Sequence, residues 1–197
     1  MVASWEIVEE ETLAAFRIGA IRRVRARSPR TGVPHDFYEL RFPEWVNVVA
    51  LDAERRVLLI RQWRLGTRSV TLEIPGGLVE PGEEPAEAAR RELREETGYE
   101  SPRWSRIGVV HPNPAIQGNR CWIFLAEEAV RAGPPRFDAA EDIETIPTPL
   151  REIPGLMRRG EITHTLVLSA FAWLWFPGLE AAAAADTNRE ERGNAGA

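Results

Sequence analysis

A mixed α/β fold, with a mixed sheet lying between helices and a small antiparallel β subdomain ahead of it, follows from three features of this 197-residue chain. Short apolar segments bounded by turn residues recur through the middle of the sequence, the pattern of buried strands. One stretch, from Gly77 to Tyr99, carries the punctuation and spacing of an amphipathic helix. Residues 4–42 alternate apolar and polar side chains around the turn-rich Ser28-Pro29-Arg30-Thr31-Gly32, as a small antiparallel sheet does. The length suits one domain with a sizeable core. The boundaries read as 1–42 for the β subdomain, 43–178 for the main domain and 179–197 for a tail expected to be disordered or frayed.

Within the first segment, Phe16-Arg17-Ile18 and Phe37-Tyr38-Glu39-Leu40-Arg41-Phe42 are expected as strands. Val46–Leu51 and Val57–Ile60 are apolar strands joined by a hairpin turn at Asp52-Ala53-Glu54-Arg55, and Val70–Ile74 is a third strand ending in Pro75-Gly76-Gly77. Trp104–Val110 and Arg120–Ala126 are expected as later strands, separated by a loop with Pro112 and Pro114, and Gly133-Pro134-Pro135 breaks the chain. In that loop His111 is either a general base or a local hydrogen-bonding residue. Thr163 is placed to cap a final helix that is apolar on nearly all sides and therefore expected to be buried.

Composition narrows the partners. The net charge of −5 argues against general nucleic-acid binding, which selects a basic surface. All 25 basic residues are arginine, so any side-chain cation meeting a phosphate does so with a bidentate fork. The lone Cys121, inside the apolar run CWIFLA, excludes an internal disulfide and a cysteine metal cluster. The most apolar run, Leu166–Phe176, is too short to span a bilayer, and no signal-peptide pattern opens the chain. A cytoplasmic protein is expected.

The helix from Pro85 to Glu96 is where chemistry concentrates. Pro85 suits a first helical position and Gly98 the left-handed residue past the end, while Ala89 and Leu93 at a spacing of four form an apolar stripe. Glu92, Glu95 and Glu96, at spacings of three and four, share another face. A row of acids on one face is either a solvated surface or a place for a hard divalent cation. Gly76 and Gly77 just upstream permit close backbone approach, so they form either a phosphate-contacting nest or a plain tight turn.

The spacing Gly77, five residues, Glu83, seven residues, Arg91-Glu92-Leu93, one residue, Glu95-Glu96, one residue, Gly98-Tyr99 resembles the signature of the Nudix hydrolases at every fixed position. Upstream, Gln62-Trp63-Arg64 and Leu72-Glu73-Ile74-Pro75-Gly76-Gly77 are similar to the QYR and ELPGG elements of the family's ADP-ribose and nucleoside diphosphate sugar hydrolases. The resemblance implies an α/β/α sandwich with a mixed sheet, and a pyrophosphatase that cleaves a nucleoside diphosphate linked to another moiety. It implies Mg²⁺, replaceable by Mn²⁺, held by Glu92, Glu95 and Glu96, with Gly76 and Glu73 as further members of the metal shell. Glu83 and Arg91 are then structural, orienting the helix.

Arg64, Arg120, Gly76, Gly77 and Pro114 are the implied substrate contacts. Trp5 and Phe16 are either core residues or, as in the ADP-ribose branch, aromatics that hold the adenine. In related enzymes a glutamate of the loop before the last strand is the catalytic base or orients the water, so Glu141 is the first candidate and Glu144 the second, against a merely solvated acidic loop. The N-terminal segment's likeness implies a homodimer. ADP-ribose is the first expected substrate, with GDP-mannose and other nucleoside diphosphate sugars next. A nucleotide-sensing protein of the same fold ranks low because the metal motif is intact. An isoprenoid diphosphate isomerase also ranks low because Cys121 is a poor catalytic cysteine.

Overall fold

The computed structural model describes residues 2–137 and 142–176. The chain divides into two compact units, Met1–Glu44 with His111–Arg120, and Trp45–Val110 with Cys121–Ala197. The loop from His111 to Arg120 thus belongs with the N-terminal strands, and the first unit extends past residue 42.

In the first unit β1 (Glu6–Phe16), β2 (Gly19–Arg27) and β3 (Pro34–Arg41) form an antiparallel sheet in chain order. Charge pairing explains the register. The arginines of the central β2 meet acids on both neighbours: Arg27 with Glu6 at 3.0 Å, Arg23 with Glu11 at 2.9 Å, Arg22 with Glu10 and Glu39, and Arg25 with Asp36 at 3.7 Å. Each exposed pair stabilises by about 0 to 1 kcal/mol, and a slipped register would break the pairing of these opposite charges. The expected strand at Phe16-Arg17-Ile18 is not one. Phe16 ends β1, and Arg17 and Ile18 make the turn into β2, where Gly19 leaves room for the Arg41 carbonyl and the Phe42 ring.

The second unit is built on β4 (Trp45–Asp52), which is buried along almost its whole length. It pairs in parallel with β10 (Cys121–Arg131); the sheet order is β11 (Ile143–Pro149), β5 (Arg56–Arg64), β4, β10 and β8 (Tyr99–Glu100), with β6 (Ser69–Glu73) on β5, β7 (Gly76–Leu78) on β4 and β9 (Arg103–Val110) on β10. Successive β4 residues point to opposite faces. Val46, Val48 and Ala50 pack with Ala88, Ala89 and Leu93 of α1 (Pro85–Thr97), whereas Val49 and Leu51 pack with Ile153 of α2 (Ile153–Arg158) and Val167 and Phe171 of α3 (Thr165–Trp175). An apolar run with no polar alternation is what a strand covered on both faces requires, and it produces the expected helix, sheet, helix layering.

Two local expectations change. Thr163 does not cap α3; His164 holds the capping position without a side-chain hydrogen bond to the helix. Gly76 and Gly77, expected in a turn, begin β7, because Asn47 and Val46 of β4 pair with them. The tail from residue 179 lies outside the described residues. No helix is long and apolar enough to cross a membrane among the described residues.

Candidate active site

The site grows from the way α1 is seated. Its stripe of Ala88, Ala89 and Leu93 is fully buried, which fixes the roll of the helix and leaves Glu92, Glu95 and Glu96 at the margin of that contact. Gly98, at φ 74°, closes the helix with its N–H on the Arg94 carbonyl. Glu96 is driven deepest, 3% exposed, and accepts a hydrogen bond from the Gly76 backbone N–H at 2.9 Å.

β7 is held close to this helix from both sides. The Pro75 carbonyl accepts from Val48 N–H at 2.8 Å, and Gly76 and Gly77 are paired to β4. A Cβ on Gly77 would lie 2.8 Å from Glu92 Oε2, and one on Gly76 would lie 2.6 Å from Asn47 Oδ1. Gly76 is therefore needed for close approach to the β4 backbone, whereas a side chain at Gly77 would displace the Glu92 carboxyl.

Arg91 organises the carboxylates. Its fork donates to Glu83 at 2.9 and 3.0 Å, and Nη1 reaches Glu92 Oε1 at 2.8 Å and Glu95 Oε2 at 3.1 Å. Nη2 also donates to the Leu78 carbonyl at 2.9 Å, tying β7 to α1. The Glu83 carboxyl is held below the usual carboxylate range chiefly by the Arg91 hydrogen bond, and the Arg91 guanidinium is raised above its ordinary value, first by Glu83. The contacts expected of Glu83 and Arg91 are thus present, with Arg91 at the hub.

Arg64 and Glu73 form a second pair. Arg64 donates to both Glu73 oxygens, at 3.0 and 2.7 Å, and the Thr71 hydroxyl donates to Oε1 at 2.6 Å. Burial pushes the Glu73 carboxyl up, but Arg64, Thr71 and nearby His164 outweigh it and hold it below the usual range. Both Glu73 oxygens thus accept from neighbouring side chains, and the carboxylate anchors Arg64.

The other expected residues scatter. Trp5 packs edge-on against Phe37, with ring centroids 5.3 Å apart, and together with Pro114 lines a cavity of about 530 Å³ inside the first unit. Phe16 sits at the β1 to β2 turn and is not in that lining. Arg120 pairs with Glu44 at 2.9 Å, and His111 also belongs to the first unit. Glu144 is not in a loop. It lies in β11, exposed, 3.3 Å from Arg61. Glu141 lies outside the described residues.

Three polar residues outside the expected site set stand in the second unit: Asn47, Gln62 and His164, each with a buried side-chain nitrogen that has no hydrogen-bond partner among the described residues. The sequence signal for Asn47 is an amide inside an otherwise apolar strand, and that for Gln62 is its place at the head of the Gln62-Trp63-Arg64 element; His164 carries no such mark.

The chemistry of the donor set fits a hard divalent cation. Glu92, Glu95 and Glu96 supply only oxygen, and Glu92 and Glu95 already converge on a positive charge, the Arg91 guanidinium. Among the described residues no three acidic, histidine or cysteine side chains form a ready cation cage.

The NUDIX domain family matches residues 41–166. The chain is similar to an ADP-ribose pyrophosphatase of Bacillus subtilis, 30% identical over 136 residues that cover 68% of this chain and 74% of that protein. An ADP-ribose pyrophosphatase of Mycobacterium tuberculosis is 28% identical over 167 residues, 84% of this chain and 80% of that one. The ADP compounds hydrolase NudE of Escherichia coli is 35% identical over 124 residues, 62% and 66% of the two chains. A crystal structure of an ADP compounds hydrolase superposes with a TM-score of 0.78 at 25% identity, covering 88% of this chain and 94% of that one.

Proposed function

From the premise that the chain belongs to the Nudix family and is a pyrophosphatase of it, we propose that it hydrolyses the diphosphate of ADP-ribose or a related nucleoside diphosphate sugar. Water attacks one phosphorus, the bridging P–O bond breaks, and a nucleoside monophosphate and a sugar phosphate leave. The observation that carries this reading is the Arg91-centred cluster of Glu83, Glu92 and Glu95, with Glu96 bonded to the Gly76 N–H. ADP-ribose comes first because two of the similar proteins are ADP-ribose pyrophosphatases. GDP-mannose and other nucleoside diphosphate sugars are the second reading.

Glu92, Glu95 and Glu96 would hold Mg²⁺, or Mn²⁺ in its place, with Gly76 and Glu73 as further members of the proposed shell. The cation, when bound, supplies charge neutralisation for the diphosphate and a more acidic water. The chain's own groups supply placement. Arg91 orients Glu92 and Glu95, the glycines bring backbone close to the helix carboxylates, and Arg64, held by Glu73, presents a guanidinium that is 43% exposed to a phosphoryl oxygen. Glu141, with Glu144 second, is the proposed base or water-orienting group. Trp5 and Pro114, in the cavity of the first unit, are proposed contacts for the base of the nucleotide, with Phe16 and Arg120 as further candidates. Function as a homodimer in the cytoplasm belongs to the same proposal.

The test is a phosphate-release panel with a coupled phosphatase over ADP-ribose, GDP-mannose, UDP-glucose, diadenosine polyphosphates and nucleoside triphosphates, run on the protein and on Glu96→Gln. ADP-ribose turnover that needs Mg²⁺ and falls by at least about a hundredfold in Glu96→Gln is expected. Hydrolysis of triphosphates alone would overturn the substrate reading, and full activity of Glu96→Gln with Mg²⁺ present would remove that residue from the metal set.

A further inference from the structure

The cavity of about 530 Å³ in the first unit has an apolar body and a polar end. Residues paired across antiparallel strands point to one face, so Val24, opposite both Glu10 and Phe37, shares its face with Glu39, which lies opposite Arg22. Ile7 and Ala26 extend the apolar lining, and the rings of Trp5 and Phe37 border it. Residues 114–118 supply the rest. That loop is pinned: Leu40 N–H donates to the Ile116 carbonyl at 2.7 Å, and the buried Asn119 donates to the Pro43 carbonyl at 3.0 Å. Apolar and aromatic walls of this kind accept the flat face of any base.

The polar end offers acceptors. Gln117 spends its amide nitrogen on Asn119 Oδ1 at 3.1 Å, which leaves its oxygen. Arg22, with a side chain only 14% exposed, holds both carboxylates: Nη2 donates to Glu10 Oε2, and Nη1 to Glu39 Oε2 at 3.5 Å. Glu39 is thus fixed by one oxygen, and the other is left to accept. That oxygen, Oε1, stands 3.9 Å from where a Cβ on Gly118 would lie, which turns it towards the loop that lines the cavity. At 34% exposed, the side chain can be reached from solvent. A carboxylate oxygen has no proton to give, so it bonds a ring edge that donates; an oxo group there would set lone pair against lone pair.

We propose that Glu39 is a specificity-determining residue: its Oε1 accepts a hydrogen bond from the exocyclic amine of the nucleobase, N6 of adenine in ADP-ribose. The cavity then favours bases that carry an amine over uracil, which carries none. This rests on the reading of Trp5 and Pro114 as contacts for the base. Arg22, bonded to Oε2, is the positioning partner of Glu39. No covalent bond changes; the apolar walls hold a base, and one fixed oxygen sorts the bases by their edge.

Steady-state kinetics of the full chain, with thermal melts to verify folding, compare ADP-ribose with the analogue whose purine carries hydrogen in place of the 6-amine. The proteins are the wild type, Glu39→Ala, Glu39→Gln and Trp5→Ala. A hydrogen bond to a charged group predicts that the wild type has a KM about tenfold or more higher for the analogue, with kcat within about threefold. Glu39→Ala should bring the two substrates within about threefold of each other by weakening ADP-ribose alone, an effect that a merely structural role would spread over both. Glu39→Gln keeps an acceptor oxygen without the charge and should show an intermediate preference. Equal wild-type kinetics on the two substrates, or a preference undiminished in Glu39→Ala, would overturn the inference. If Glu39→Ala fails to fold, Glu39→Gln decides, and a full wild-type preference there overturns it. Trp5→Ala should raise KM for both substrates. An unchanged KM in that variant would overturn the base reading and this inference with it; a raised KM there beside an undiminished preference in Glu39→Ala overturns the inference alone.

Discussion

Gly76→Ala perturbs the contact on which the site's geometry depends. The added Cβ would fall well inside contact distance of the Val46 carbonyl oxygen, 2.6 Å from Asn47 Oδ1 and 3.1 Å from Asn47 Cα. Comfortable separation for such atoms is about 3.5 Å, so roughly 1 Å of movement is demanded. Val46 and Asn47 belong to β4, which is packed on both faces, and it is β7 that must give way. A displacement of that size takes the Gly76 N–H, now 2.9 Å from Glu96 Oε2, out of hydrogen-bond range and leaves a buried carboxylate short of a donor. Overpacking and the lost bond together should cost about 2 to 4 kcal/mol. At about 2 to 4 °C per kcal/mol for a chain of this size, the melting temperature should fall by about 4 to 16 °C. Misplacing a site by 1 Å also predicts a loss of about a hundredfold in kcat/KM. Gly66→Ala is the control, since nothing lies within 4 Å of its Cβ, and it should be neutral or slightly stabilising. Differential scanning fluorimetry and steady-state kinetics on both variants are sufficient. A Gly76→Ala protein that melts and turns over like the wild type would refute the claim that β7 is clamped between β4 and Glu96.

Two further predictions concern stability. Glu83 and Glu73 both have carboxyls held below the usual range when folded, so their contribution is fully present above the unfolded value of about 4.3 and is lost as pH falls through the lowered folded value. In urea melts, Glu83→Gln should therefore destabilise at pH 7 and differ progressively less from wild type below about pH 4; a difference independent of pH would show that the Arg91 pairing is not its source. Leu93→Ala, emptying a fully buried position between α1 and β4, should cost about 2 to 5 kcal/mol in the same assay, and a cost under about 1 kcal/mol would mean that α1 is not seated by its stripe.

The elements that were legible in advance share one property: their signals are local. Residues 85–97 read as a helix because Pro85, the alanines and Gly98 each act within a turn, and Val46–Leu51 read as a buried strand because its apolar run is contiguous. The sites of error were those where a distant segment outvotes the local one. Gly76 and Gly77 look like turn residues until β4 pairs with them. Phe16-Arg17-Ile18 alternates like a strand, yet the ion pairs between β1 and β2 place the reversal there. Thr163 has the chemistry of a cap, and the chain's path gives that position to His164.

The same division holds for function. Sequence alone determined the reaction family, because the spacing from Gly77 through Glu96 is a property of order along the chain and a helix converts that order into a face. Tertiary structure decided how the charges are partnered, since the nearest carboxylate in space is set by packing. It gave Glu73 to Arg64, across a hairpin, and made Arg91 the hub of Glu83, Glu92 and Glu95.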